Sequence, residues 1–372
     1  MAERADVLLR VDEERAIEAL VERVRAIRAA AEKRLPGRGA EGATSPAAER
    51  DRPSGSPAAI MGLSGGLDSA VLATICVRAL GPEQVRLVYL FDHTSSAEGR
   101  ANARAVAARL GVPLEESSIE DAMRAAGVYE SPVARLTSVS SGVNRLLYAV
   151  YPLFMGEPSF VGALRAGEAE ARGGRAPSFV HRRFVAPAHA GFAARHIQRR
   201  VLLETEVARG GCFLVGAANR TEWLTGWFIR GGVDDLPDQP MIGLYKTQVR
   251  RLARALGVVE SVRQATPSPD MMSGVTDEMG LGLSYGTIDL ALDFLSGGVT
   301  KEQAVDAGVT AHDVAGVERL LRLSAWKREP GDDLQRTPRS KPLPRPASPG
   351  DLRTMPLLPV DGGPRGGLRG DP

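Results

Sequence analysis

Near the start of the chain, Ile17, Leu20, Val21, Val24 and Ile27 fall on one side of a 3.6-residue period, with Glu and Arg on the other. That spacing predicts an amphipathic helix over residues 11–34. The pattern ends at Pro36, and the Gly-, Ser-, Pro- and Ala-rich stretch to Pro57 reads as a loose connection. From Ala58 the rhythm changes. Ala59, Ile60, Met61 and Leu63 make a short apolar run of buried-strand type, and Ala70–Leu80 follows as a helix. Val85–Phe91 repeats the strand signature after Gly81-Pro82, and a further helix from about Glu98 to Leu110 stops at Gly111. Strand, helix, strand, helix at this spacing predicts an α/β fold: a Rossmann-like parallel sheet with right-handed crossovers and helices on both faces.

Residues 129–190 break the rhythm, punctuated by Pro, Gly, Ser and Arg, with much apolar content only over Val143–Phe154. They read as an insertion or lid, partly irregular. Order resumes with a helix from about Phe192 to Arg209, the strand Cys212–Val215, and a helix over Leu244–Leu256. Another helix opens at Ser284-Tyr285 and reaches Leu295; two short helices follow, the second capped by Thr310 with Asp313 three residues on. Ten prolines and seven glycines in the last 43 residues leave too little apolar surface to offset the cost of ordering. The expected organisation is a helix and connection over 1–57, a nucleotide-handling domain over 58–328 with its insertion at about 129–190, and a disordered tail over 329–372.

Composition narrows the class of function. A net charge of +2, with arginine scattered among acids, gives no basic stripe for nucleic acid. No run approaches the roughly 18 apolar residues of a membrane span, and no signal segment opens the chain, so a cytoplasmic location is expected. The two cysteines, Cys76 and Cys212, form no zinc or disulfide pattern and read as core residues. His181, His189 and His196 have no zinc-like spacing and read as surface or insert residues.

The candidate chemistry sits where the first strand meets the first helix. Ser64-Gly65-Gly66-Leu67-Asp68-Ser69 is a glycine turn between the two. Without a β-carbon, Gly65 and Gly66 let backbone N–H groups approach an anion, and the helix N-terminus turns its dipole to the same place. Ser64 and Ser69 add hydroxyl donors, and Asp68 can hold magnesium against bound phosphates. No lysine follows as a P-loop requires, and the dinucleotide fingerprint G-x-G-x-x-G is absent. The pattern resembles the pyrophosphatase loop of enzymes that cleave ATP between its α and β phosphates. A second cluster, Leu214–Glu222, ends a strand and opens a helix, which puts Glu222 within reach of the same magnesium. Lys246, in Leu244–Arg250, stands at a helix start where an ammonium can neutralise phosphate.

In this order, with Pro267-Ser268-Pro269-Asp270, Thr276-Asp277-Glu278 and Leu281–Tyr285 behind them, these segments resemble NAD synthetase. The likeness covers roughly 58–128 and 191–328. It implies the adenine nucleotide alpha-hydrolase-like fold and an ATP-dependent ligase with magnesium. A carboxylate, that of deamido-NAD, attacks the α-phosphorus, pyrophosphate leaves, and ammonia displaces AMP to give the amide. By the resemblance, Ser64, Gly65, Gly66 and Ser69 grip pyrophosphate, while Asp68 and Glu222 hold magnesium. Lys246 and Ser268 meet the outgoing phosphates, and Arg195 meets the nucleotide. Asn219, Gly231, Gly232, Asp234 and Lys327 fall on the substrate side. It also implies a homodimer, joined in part by the Val11–Arg34 helix, and free ammonia or a separate glutaminase as nitrogen source. The sequence departs from the family at Ala217, at Ile197, and over Arg230–Asp235, where a glycine-rich segment beside the pyridine ring is expected. Those departures keep two alternatives in view: an amide-forming enzyme acting on another carboxylic acid, and an inactive nucleotide-binding paralogue.

Overall fold

The computed structural model describes residues 2–34, 58–130, 141–172, 186–268 and 274–328. The expected connection and tail, and His181, lie outside them. Four strands, β1 (Ala58–Gly62), β2 (Val85–Phe91), β3 (Leu114–Ser118) and β4 (Cys212–Leu214), form one sheet in the order β3-β2-β1-β4. All pairings are parallel, with Ile60 opposite Arg86 on one side and Leu214 on the other. The described helices, in chain order, begin with α1 (Ala2–Leu8), α2 (Glu13–Arg34), α3 (Leu67–Leu80), α4 (Ala97–Leu110) and α5 (Glu120–Ala125). Next come α6 (Ser141–Met155), α7 (Ser159–Ala171), α8 (Ala186–Ala208), α9 (Arg220–Thr225), α10 (Lys246–Ala255) and α11 (Glu260–Gln264). The last five are α12 (Asp277–Leu281), α13 (Tyr285–Leu295), α14 (Lys301–Asp306), α15 (Ala311–Leu323) and α16 (Ala325–Arg328).

Side chains alternate across the sheet, so each strand feeds two cores. Ala59, Met61, Leu87 and Tyr89 pack with α2, α3, α4 and α10. Ile60, Val88 and Leu90 face the other way, onto Ile119, Met123 and Leu203. Both faces are thus covered by helices, as the sequence predicts and as a parallel sheet requires. A third cluster joins α1, α7, α9, α13 and α15 beside the sheet. The apolar stripe of α2 buries Ile17, Leu20, Val21 and Val24 against its own chain, chiefly α3 and α10. Each such side chain contributes about 1.5–3 kcal/mol by leaving water.

Several elements differ from the sequence reading. α1 and β3 were not predicted; β3 is an edge strand whose Leu-Glu-Glu-Ser-Ser carries no apolar alternation. Its Glu115 and Glu116 instead pair with Arg86 at 2.8 Å and Arg104 at 2.6 Å, charges that suit a solvent edge. Within 129–190, expected to be a partly irregular insertion or lid, the described residues hold two helices, α6 continuing through Pro152 and α7 opening after Pro158. α8 also starts earlier than expected, at Ala186. Cys76 and Cys212 are both buried, and burial pushes the Cys76 thiol up to about 12. Among the described residues no helix is long and apolar enough to cross a membrane.

Candidate active site

The chain reverses its direction across the sheet between β1 and β4, and ligands in such sheets sit outside the strand ends at that point. A cleft of about 1490 Å³ opens there. Its floor is the loop after β1. Gly65 adopts φ +81°, and a Cβ on it would strike the Gly99 carbonyl at the start of α4, so only glycine fits. Ser64 and Ser69 close the loop on itself: their hydroxyls lie 3.0 Å apart, and Ser69 Oγ accepts from the Ser64 amide at 3.2 Å. Gly66 N-caps α3 with no side-chain cap, so the first-turn amides face the loop's ligand side.

Behind β4, Asn219 caps α9 by accepting from the Glu222 amide at 3.0 Å, while Glu222 reaches back to the Asn219 amide at 3.4 Å. The Asn219 side chain also donates to Asp68 Oδ1 at 2.9 Å, tying the two strand ends together. Asp289, buried in α13, accepts from Thr221 Oγ1 and, at 2.8 Å, from the Thr247 amide. Thr221 in turn accepts from the Lys246 amide at 2.8 Å. The starts of α9 and α10 are therefore locked to each other. Lys246 Nζ then donates to Asp68 Oδ2 and, at 3.0 Å, to Glu222 Oε1.

Burial opposes the charge on Lys246, but Asp68, Glu222 and Asp277 outweigh it and hold its pKa above the ordinary value. With three carboxylates around one ammonium, burial and the neighbouring Asp68 push Glu222 up to about 8. Asp277 is raised by burial as well. The excess of carboxylate oxygen over cation is a donor set that suits a hard divalent cation, which Asp68 and Glu222 fit as ligands alongside phosphate oxygens.

Asp68, Glu222, Lys246, Ser64, Gly65, Gly66, Ser69 and Ser268 all line the cleft, Ser268 at its exposed rim. Asp234 lines it too, its carboxylate 2.6 Å from His196 Nδ1. Burial raises the Asp234 pKa, but the nearby His196 and Arg199 hold it below the usual range. Asn219 is fully buried and acts on Asp68 from behind. Arg195 is not brought to the cleft. It is buried on the inner side of α8, where its Nε donates to Asp92 Oδ2 at 2.7 Å, and Tyr129 adds a hydrogen bond to the same oxygen at 2.9 Å. Burial raises the Asp92 pKa, but Thr94 and Arg195 bring it down to about 2. Gly231 and Gly232 stand behind the lining: the Gly231 amide donates to Asp235 at 2.9 Å, and Gly232 packs on His196. Lys327 is likewise off the cleft. Its ammonium donates to the carbonyls of Gly226, at 2.8 Å, and Phe228, and burial pushes it down to about 7.

Sequence reasoning did not single out Asp92, Asp289, Trp227 or Phe160. Asp92 directly follows β2, a position at the ligand edge that was a usable signal. Asp289 lies among the apolar positions of α13, where only tertiary contact reveals its role.

A family model described as NAD synthase matches residues 50–137 and 187–331. The chain is 34% identical over 234 residues to the NH(3)-dependent NAD(+) synthetase of Thermotoga maritima, covering 63% of this chain and 78% of that protein. The protein of the same name from Coprothermobacter proteolyticus is 32% identical over 249 residues, 65% of this chain and 79% of its own. Among solved structures, the NH3-dependent NAD synthetase from Campylobacter jejuni shares the fold, with a TM-score of 0.52 and 16% identity over 87% of this chain and 100% of that one.

Proposed function

Because the chain belongs to the NAD synthase family, we propose that it makes NAD from deamido-NAD, ATP and ammonia. The observation that carries the reading is the Lys246 ammonium held between Asp68, after β1, and Glu222, after β4. The acceptor carboxylate oxygen forms a bond to the α-phosphorus as the bond to the β-phosphate oxygen breaks. Ammonia then attacks the carbonyl carbon of the acyl-adenylate, AMP leaves, and the nitrogen sheds a proton. Neither step needs a protein nucleophile; positioning and charge neutralisation do the catalysis. The Ser64–Ser69 loop grips the departing pyrophosphate with backbone amides and two hydroxyls. Lys246 stays charged and meets the negative charge that builds on the phosphates. Asn219, Thr221 and Asp289 hold Asp68 and Lys246 in place. Asp68 and Glu222 would hold Mg2+, which supplies Lewis-acid polarisation of the phosphate oxygens when bound. Ser268 adds a contact at the rim.

Purified chain given ATP, magnesium, ammonium and deamido-NAD is expected to release pyrophosphate and AMP and to form NAD. Formation of ADP, or folded protein that binds ATP and makes no NAD, overturns the reading. A second reading, the same chemistry on a different carboxylic acid, draws on Arg230–Asp235, where Gly231 and Gly232 are turned away from the cleft. ATP–pyrophosphate exchange across a set of acids separates the two.

A further inference from the structure

Asn219 reaches Asp68 only if the turn between β4 and α9 keeps its place, and that turn is anchored by a segment further along the chain. The Gly216 amide donates to the Asp238 carbonyl at 2.9 Å, and the Ala218 amide donates to Gln239 Oε1 at 2.8 Å. The other end of the same carboxamide, Gln239 Nε2, donates to the Asp234 carbonyl at 2.7 Å. These two partners leave the amide one orientation, since a backbone N–H needs its oxygen and a backbone carbonyl needs its nitrogen. Gln239 itself is buried behind the lining of the cleft, so whatever it does there it does through its neighbours.

The backbone beneath the carboxamide is set as well. Pro240 disfavours the helical conformation at the residue before it, and Gln239 takes φ −120° and ψ 90°. Gly216 gives the carboxamide its room: a Cβ there would stand 2.5 Å from Oε1 and 2.7 Å from Cδ. The remaining links run to the carboxylate. Asn219 follows Ala218 directly, accepts from the Glu222 amide at 3.0 Å and donates to Asp68 Oδ1 at 2.9 Å. A buried hydrogen bond on the amide just before Asn219 therefore sets the place from which its side chain reaches Asp68. Without that acceptor the Ala218 amide is buried and unpaired, a cost the turn relieves by shifting and carrying Asn219 with it.

We propose that Gln239 is a positioning residue for the Asp68 carboxylate, acting through Ala218 and Asn219. This rests on the adenylation reading above, in which Asp68 serves the phosphates. The test uses two substitutions in the full chain. Gln239→Met keeps the length of the side chain and loses both hydrogen bonds, whereas Gln239→Glu keeps an acceptor for the Ala218 amide. In ATP–pyrophosphate exchange, Gln239→Met is expected to lower kcat about fivefold with KM for ATP within about twofold, as one buried hydrogen bond spent on positioning would. In an Asn219→Ala background the same substitution costs less than about twofold, because the link it breaks is already cut. Gln239→Glu retains more kcat than Gln239→Met; an amide with a structural role alone gives the opposite order, since the carboxylate buries a charge. Hydrogen exchange at the Ala218 amide is a readout apart from activity: it speeds up in Gln239→Met and stays near wild type in Gln239→Glu. Should Gln239→Met fail to fold, Gly216→Ala takes its place, because the added methyl displaces the end of a flexible side chain. An equal loss in both backgrounds overturns the proposal, as does an unchanged kcat or a Gln239→Glu protein no better than Gln239→Met. Wild-type protein that makes no NAD but supports exchange with another carboxylic acid ends the function above, and Gln239 is then judged by the same comparisons on that exchange. No exchange with any acid overturns both.

Discussion

At the end of the cleft proposed to hold phosphate, each candidate side chain sits within a few residues of a strand end or in the first turn of a helix. Ser64, Asp68 and Ser69 follow β1, Glu222 follows β4, and Lys246 opens α10. Away from that loop the lining comes from Phe160 on α7, Trp227 after α9 and Asp234 further on, brought together by tertiary packing. The first end is polar and cross-tied by short hydrogen bonds; the second sets the Phe160 and Trp227 rings beside the Asp234–His196 pair. The difference teaches how the two tasks are encoded. Gripping phosphate depends on backbone geometry that a short local segment can dictate. Recognising an organic acid depends on surfaces that only the assembled core presents.

The largest test of this division is Lys246→Ala. Removing a preorganised cation from a buried site costs about 10²–10³ in rate. ATP–pyrophosphate exchange is expected to fall by that factor, with KM for the acceptor changing little. A variant that raised only the acceptor KM would erase the boundary between the two ends.

Next in size is Asp92→Asn, which strikes neither end directly. It leaves the buried Arg195 guanidinium without its carboxylate, at a cost of about 3 kcal/mol by chemical denaturation at pH 7. The sign with pH is fixed by the depressed Asp92 pKa. A carboxyl held near 2 in the folded protein, against an ordinary 3.8, contributes stability that is full above pH 4 and lost as pH falls through 2. The gap between wild type and variant therefore narrows on acidification over that window. ATP affinity is expected to stay within about threefold, because a contribution of one cleft-facing arginine to nucleotide binding exceeds that factor. A larger loss would return Arg195 to the nucleotide.

Asn219→Ala has a smaller effect on stability, about 1 kcal/mol for a lost helix cap. It also frees the Asp68 carboxylate, so kcat is expected to drop about tenfold with KM for either substrate nearly constant. A change in KM for the acceptor instead would place Asn219 on the recognition side, where its family position suggested it.

These residues show what the sequence could and could not disclose. The Ser64–Ser69 turn was legible because strand, glycines and helix follow one another without a gap. The unbroken apolar run at Ala59, Ile60 and Met61 marked a strand buried on both faces for the same reason. β3 was hidden because an edge strand of charged residues carries no apolar period. The Arg195–Asp92 pair was hidden because the two residues lie 103 apart and no local pattern joins them. The partners of Lys327 were hidden likewise: only packing shows its ammonium donating to the Gly226 and Phe228 carbonyls. The sheet and the phosphate grip are local in sequence; the far wall is not.

Ser268→Ala gives the smallest expected effect and the finest cut between the two ends. Ser268 lies exposed at the cleft rim, so its hydroxyl competes with water for any ligand it meets. One neutral hydrogen bond contributes about 0.5–1.5 kcal/mol net, and exposure holds it to the lower figure. KM for ATP is therefore expected to rise about two- to threefold, with kcat and the acceptor KM unchanged, in steady-state assays at saturating second substrate. A shift of that size in the acceptor KM alone would move the rim to the recognition side. A loss of a hundredfold would mean that the rim closes over the phosphates and buries this hydroxyl during turnover, since no exposed neutral donor accounts for so much.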